Sequence, residues 1–128
     1  MITRRQALAL LPLFFLQLAT RRASVHPAPR PGITGAKVLK ASQLPEASTE
    51  VKEIFDMVRT TPQIMDGIYC YCGCDEMPNH YSLLSCYEED GMAQGCNICQ
   101  GEARMAFELH KQGKNLGQIR SAIDRNFG

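Results

Sequence analysis

Ser48-Thr49-Glu50-Val51-Lys52-Glu53-Ile54-Phe55-Asp56-Met57-Val58 decides the fold class. Val51, Ile54, Phe55 and Val58 fall at i, i+3, i+4 and i+7, the spacing of one helix face, behind a Ser48/Thr49 cap and Glu50. Arg59 and Thr60 end this stripe. Thr61-Pro62 then reads as a cap with proline at the first helical position, opening a short helix through Ile64, Met65 and Ile68 that delivers the chain to Cys70. Asn79 caps a third helix carrying Tyr81, Leu83, Leu84, Cys86 and Tyr87, closed by the Asp90-Gly91 turn. Cys96 opens a fourth, with Ile98, Cys99, Ala103, Ala106, Phe107 and His110 on or near one face and Gly113 as its stop. Asn115 caps the last, Leu116 to Phe127, with Leu116, Ile119, Ile123 and Phe127 at helical spacing. No segment has the period of a strand. The predicted fold is therefore all-α, a small compact bundle of about five short helices with a cysteine-rich loop.

Upstream of the bundle the chain changes character. After Met1-Ile2 it reads Thr3-Arg4-Arg5-Gln6-Ala7-Leu8 and then runs apolar from Ala7 to Ala19, a basic n-region before an h-region. The run is shorter than the roughly 18 apolar residues of a spanning helix, and Pro12 with arginines at both ends fits a buried helix poorly. Residues 1–23 are read as a signal peptide or N-terminal anchor. Thr3, Arg4, Arg5 and Leu8 match a twin-arginine signal, from which Ala7 and Ala9 depart. Residues 24–46 begin with three prolines and two glycines before Lys37 and are read as a flexible linker, in which His26 is solvated. The domain is expected at 47–128, in an extracytoplasmic setting, with the membrane touched only through an uncleaved N-terminal segment.

All six cysteines of the 128-residue chain lie between Cys70 and Cys99. Cys70, Cys72 and Cys74 alternate, Cys86 follows, and Cys96-Asn97-Ile98-Cys99 has the spacing of a thiol pair. Isolated buried cysteines have no reason to crowd together, which leaves metal binding, thiol redox exchange and a disulfide staple. A bridge between cysteines two apart closes a strained ring, so a staple needs each of the alternating three to find a distant partner. Charge separates the remaining two. From Thr60 to Ala103 there is no lysine or arginine, whereas Asp66, Asp75, Glu76, Glu88, Glu89, Asp90 and Glu102 are acidic. Reactive thiolates are stabilised by nearby cations, while a bound metal ion deprotonates its own thiols and is attracted by carboxylates. In an extended segment Cys70, Cys72 and Cys74 present their sulfurs to one side, and Gly73 lets the loop close on an ion. Cys96 and Cys99 at a helix start supply the other half of a site.

Single residues read more plainly. Met77 and Met92 suit gap filling or exposed loops. His80 is balanced between surface residue and ligand, and His110 packs or meets the helix dipole. Cys86, among Leu83, Leu84 and Tyr87, is as readily core as ligand. Tyr69 and Tyr71 shield the sulfurs. Removing the four arginines of residues 1–23 leaves ten basic against thirteen acidic side chains, a balance of about −3 that offers no basic nucleic-acid surface.

Cys70-Tyr71-Cys72-Gly73-Cys74, the following His80, Ser82-Leu83 before Cys86, Cys96-x-x-Cys99 and the ending Ile119-Arg120-x-x-Ile123-Asp124-x-x-Phe127-Gly128 resemble the PCYCGC-motif proteins. These are also called CYCXC proteins, and some carry selenocysteine. The likeness covers about Ala47 to Gly128, with Tyr69 where the motif has proline. It implies an exported, often membrane-tethered domain, and the selenocysteine of relatives implies redox chemistry. From the residues, the expected function is soft-metal binding, copper(I) first and zinc(II) second. Cys70, Cys72, Cys74, Cys96 and Cys99 are the ligands, with Cys86 or His80 as an addition. The alternatives are a thiol–disulfide oxidoreductase using Cys96, Cys99, Cys72 or Cys74 and a disulfide-stapled scaffold. A membrane or periplasmic metal or redox protein would be the partner.

Overall fold

The computed structural model describes residues 24–128; the signal or anchor expected in residues 1–23 lies outside the described residues. Among the described residues there are four α-helices and no strand: α1 (Thr49–Thr60), α2 (Pro62–Met65), α3 (Asn97–Lys111) and α4 (Leu116–Phe127). Short 3₁₀ turns at Ala41–Gln43, Cys74–Glu76, Leu83–Tyr87 and Ala93–Gly95 join them. The Ser48 and Asn115 caps read from the sequence form, whereas Thr61 makes no capping bond and its hydroxyl donates to Met57 O instead. Ser48 Oγ accepts the Val51 N–H at 3.2 Å. Asn115 Oδ1 accepts the Gln118 N–H at 2.9 Å while Gln118 Oε1 accepts the Asn115 N–H at 3.0 Å, a reciprocal box that fixes the start of α4. Helix α3 lies between α1 and α4. It turns Cys99, Ala103 and Ala106 inward against Ile54, Phe55 and Val58 of α1 and Ile119 and Ile123 of α4. The alanines let these helices approach closely.

The third expected helix takes another form. Asn79 does not cap it but sits at φ 65°, in a left-handed turn. Ser82 opens a five-residue 3₁₀ helix instead, and Ser85 Oγ accepts the N–H groups of Tyr81 (3.0 Å) and Ser82 (3.2 Å). All five residues of this turn are buried, so an amphipathic helix with a solvent face has no place there. Tyr87 anchors it, stacking edge-on to Phe55 at 4.7 Å and donating its hydroxyl to Cys99 O at 2.7 Å. The short second helix ends at Met65, not Ile68, because the chain turns at Asp66 and Gly67.

The linker expected at 24–46 is a strap packed on the bundle. Val38 and Leu44 are in the core. Leu39 N–H bonds Tyr87 O at 3.0 Å, and Arg59 holds Leu39 O. Arg30 grips the fully buried Asp66 through its backbone N–H (2.8 Å), Nε (3.2 Å) and Nη2 (2.8 Å), and its guanidinium lies 4.3 Å over the Tyr81 ring. Burial pushes the Asp66 carboxyl up, but the Arg30 bonds and the Ser82 hydroxyl together outweigh it and hold the group below its ordinary range. His26 is likewise buried, not solvated. Its Nδ1 accepts the Tyr69 N–H at 3.0 Å, so the ring proton sits on Nε2, which donates to Asp124 at 2.8 Å. Composition suggests a tether because prolines and glycines signal lack of regular structure. Irregular backbone nonetheless packs well where side chains and carbonyls supply its partners.

A chain starting at Ala47 is expected to lose cooperative unfolding in urea, because it exposes the seats of Val38 and Leu44, about 2 kcal/mol each, and strands buried Asp66. Arg30→Ala alone should cost about 2–3 kcal/mol. Equal midpoints for the truncated and the 24–128 chains would show that the strap is dispensable.

Candidate metal centre

The loop after α2 does not run extended through the cysteines. Tyr71 and Cys72 form a turn, and Gly73, at φ 84°, reverses the backbone into the 3₁₀ turn of Cys74. The three sulfurs therefore do not fan to one side. Cys70 and Cys72 stay together while Cys74 is carried to a second cluster. In the first cluster the sulfurs of Cys70, Cys72, Cys86 and Cys99 all lie within 4.8 Å of one another. Cys70 Sγ is 3.1 Å from Cys72 Sγ and 3.4 Å from Cys99 Sγ. In the second, Cys74, His80 and Cys86 converge to the same tolerance, with His80 Nε2 at 3.0 Å from Cys86 Sγ. Cys86, which the sequence leaves between core and ligand, is thus both buried and common to the two groups.

Cys96 stands apart from both groups. It is the N-cap of α3, its sulfur accepting the Cys99 N–H at 3.5 Å, and it is half-buried. The C-x-x-C pair therefore divides its work, Cys96 starting the helix and Cys99 pointing into the cluster. Gly91 packs on the Cys86 backbone: a Cβ there would sit 2.1 Å from Cys86 O, so only glycine permits this approach. Met77 and Met92 are exposed, and so is His110, near the C-terminus of α3. Tyr69 and Tyr71 stack edge-on at 4.9 Å beside the loop, and the Tyr71 hydroxyl donates to Asp124, which also accepts from His26. His26 of the strap and Asp124 of α4 thereby hold the residues on either side of Cys70.

Among the described residues all six cysteines are free thiols. The cluster organises its own charge. Hydrogen bonds from the Cys86 and Cys99 thiols outweigh burial and lower Cys70 to about 3. The charge at Cys70 in turn pushes Cys86 and Cys99 up, while burial first and then its cysteine neighbours push up Cys72. The metal-free cluster thus favours one thiolate surrounded by thiol donors, a stabilisation that needs no lysine or arginine. Of the acidic belt, Asp66 is paired with Arg30, and Glu88, Glu89 and Asp90 line a surface groove of about 580 Å³ that reaches His80.

The sequence places Glu102 among the acidic residues of the 60–103 segment. It is fully buried on α3, its Oε1 accepting the Tyr71 N–H at 2.8 Å and its Oε2 without a hydrogen-bond partner. The signal is its position: three residues beyond Cys99 and beside Ala103, on the inward face. Burial, then the charge at Cys70, raises its carboxyl to about 8. Because the folded value exceeds the ordinary 4.5, the folded chain holds a proton that the unfolded chain lacks between those values. Stability therefore falls as pH rises through this window. In the reduced, metal-free chain Glu102→Gln should be a few kcal/mol more stable relative to the parent at pH 8 than at pH 4, read by urea unfolding. An equal difference at both pH values would refute a neutral buried Glu102.

The sulfur geometry suits a metal. A tetrahedral ion with M–S bonds of about 2.3 Å sets sulfurs about 3.7 Å apart, a small adjustment from the spacings here. The chain matches no curated protein and no solved structure. A family model described as "Protein of unknown function with PCYCGC motif" matches residues 32–128, starting within the strap, upstream of the Ala47 boundary expected from the motif residues. With three quarters of its length matched, the chain belongs to the PCYCGC-motif family.

Proposed function

We propose that this is an extracytoplasmic soft-metal-binding domain whose primary ligands are Cys70, Cys72, Cys86 and Cys99. The convergence of these four sulfurs carries the reading. Copper(I) is the first choice because the donors are all soft sulfur, and zinc(II) the second because four thiolates also suit its tetrahedral preference. Metal binding displaces the remaining thiol protons, so the ion takes over the role that the S–H donors play around Cys70. The oxidoreductase reading is weaker on access. Of the cysteines that reading uses, Cys99 and Cys74 are buried, and only Cys72 and Cys96 keep partial exposure, whereas attack on an external disulfide requires an exposed sulfur. The groove beside His80, where Glu88, Glu89 and Asp90 outnumber Lys37, favours the approach of cations. A metal-delivering or metal-accepting protein of the membrane or periplasm is the partner in keeping with this role.

The full chain purified without oxygen should carry copper(I) or zinc in stoichiometric amount. Cys99→Ser should weaken binding at least 10-fold, whereas Cys96→Ser should retain it, since serine is itself a good helix cap. Elemental analysis and competition with a chromogenic chelator read both. A metal-free protein with its sulfurs in disulfides would overturn the reading, and equal losses in both variants would restore Cys96 to the ligand set.

The setting has its own test. Residues 1–23 fused to a folded reporter should place it outside the cytoplasm, and Arg4→Lys with Arg5→Lys should retain it inside if the pair is a twin-arginine signal. A reporter that stays cytoplasmic with the native segment would remove the extracytoplasmic assignment.

A further inference from the structure

Cys86 Sγ is the one atom common to both ligand clusters. The remaining donors group as Cys70, Cys72 and Cys99 on one side of it and Cys74 and His80 on the other, with the Cys72 and Cys74 thiols hydrogen-bonded across the division. We infer that the domain holds two soft metal ions, bridged by the Cys86 thiolate: an inner ion on Cys70, Cys72, Cys86 and Cys99, and an outer ion on Cys74, His80 and Cys86. The inference rests on the metal-binding reading and adds the second ion to it.

Three observations carry it. First, four sulfurs complete the shell of a single tetrahedral ion, which leaves Cys74 and His80 aimed at Cys86 with no place on that ion. A thiolate sulfur has lone pairs for two metals, so the shared position of Cys86 is chemically usable. Second, a single ion that displaced the protons of all four inner thiols would leave a negatively charged, largely buried site, and Arg30 and Arg120 are committed elsewhere. Arg30 is bound to Asp66, and Arg120 donates to Gly67 O and Pro27 O. A second cation offsets the negative charge that the first leaves on the bridging sulfur and its neighbours. Third, the two positions differ in access. Cys70, Cys86 and Cys99 are buried within the core, while His80 is only half-buried and lines the groove with Met77, Glu88 and Glu89. The outer ion therefore exchanges with solvent and the inner one is retained.

The test titrates the full, reduced chain with copper(I) under anaerobic conditions, with a chromogenic chelator as competitor, and records X-ray absorption of the loaded protein. The parent should bind two equivalents, show a copper–copper scattering vector, and release copper to excess chelator in a fast and a slow phase of equal size. Cys74→Ser and His80→Ala should each bind one equivalent, lose the copper–copper vector and release copper in the slow phase alone. His80 is half-exposed, and circular dichroism of that variant keeps the result separable from misfolding. One equivalent in the parent, unchanged in both variants, would overturn the second ion while leaving the single-ion reading intact. Two equivalents without a copper–copper vector would overturn the bridge. No binding at all would overturn both.

Discussion

The approach of Cys70 to Cys99, with sulfurs 3.4 Å apart, joins the cysteine loop to the central helix, and the fold is arranged around that contact. Cys70, Cys74, Cys86 and Cys99 belong to the same buried cluster as Phe55, Ile68, Leu83 and Ile123. Core and candidate site are one volume. A domain of this size buries limited apolar surface, and an ion that crosslinks three separate segments adds its binding free energy directly to folding. The loop, the Leu83–Tyr87 turn and the start of α3 each deliver sulfur to the inner position, so a metal there ties together elements distant in sequence. The supports around the cluster serve the same placement. Tyr87 fixes the α3 start through Cys99 O, Gly91 lets the next turn close on Cys86 O, and His26 holds the Tyr69 amide one residue before Cys70.

Much of this is legible in the sequence. The stripe of Val51, Ile54, Phe55 and Val58 marks α1, and Cys96 and Asn115 mark the starts of α3 and α4, because periodicity and capping are local properties that the chain displays within a few residues. The cysteine spacing likewise points to sulfur chemistry. What local pattern does not supply is the grouping. Cys70, Cys72 and Cys74 look equivalent along the sequence, yet a left-handed Gly73 sends Cys74 to a different set of partners. Cys86 looks like core because its neighbours are apolar. It is core, and burial is what lets it sit between the two clusters.

The strap escapes a sequence reading for a related reason. Residues 24–46 have no period and many turn formers, and the feature that orders them is a set of contacts to residues tens of positions away: Arg30 to Asp66, His26 to Tyr69 and Asp124, Ala28 O to Tyr81. Such pairings leave no trace in a window of a dozen residues. Charge is subject to the same limit. Counting from Thr60 to Ala103 finds no cation, but the fold imports Arg30 to neutralise Asp66 and buries Glu102, so the acidic belt that remains on the surface is narrower and centred on Glu88, Glu89 and Asp90.

That narrowing sharpens the choice between metal capture and thiol exchange. The absence of lysine and arginine beside the cysteines does not forbid a thiolate, since neighbouring thiols supply hydrogen bonds enough to hold one at Cys70. What favours metal is therefore the place where the charge is kept, not a missing cation. An exchanging thiolate must meet its substrate, and Cys70 has no exposed surface, while Cys72 and Cys96 keep only part of theirs. A small cation can enter through a groove and a half-buried imidazole where a protein disulfide cannot, and once inside it finds sulfurs spaced nearly as its own coordination sphere requires. In the proposed metal-binding role, preference for a small soft ion over a larger partner would follow from access and donor type together.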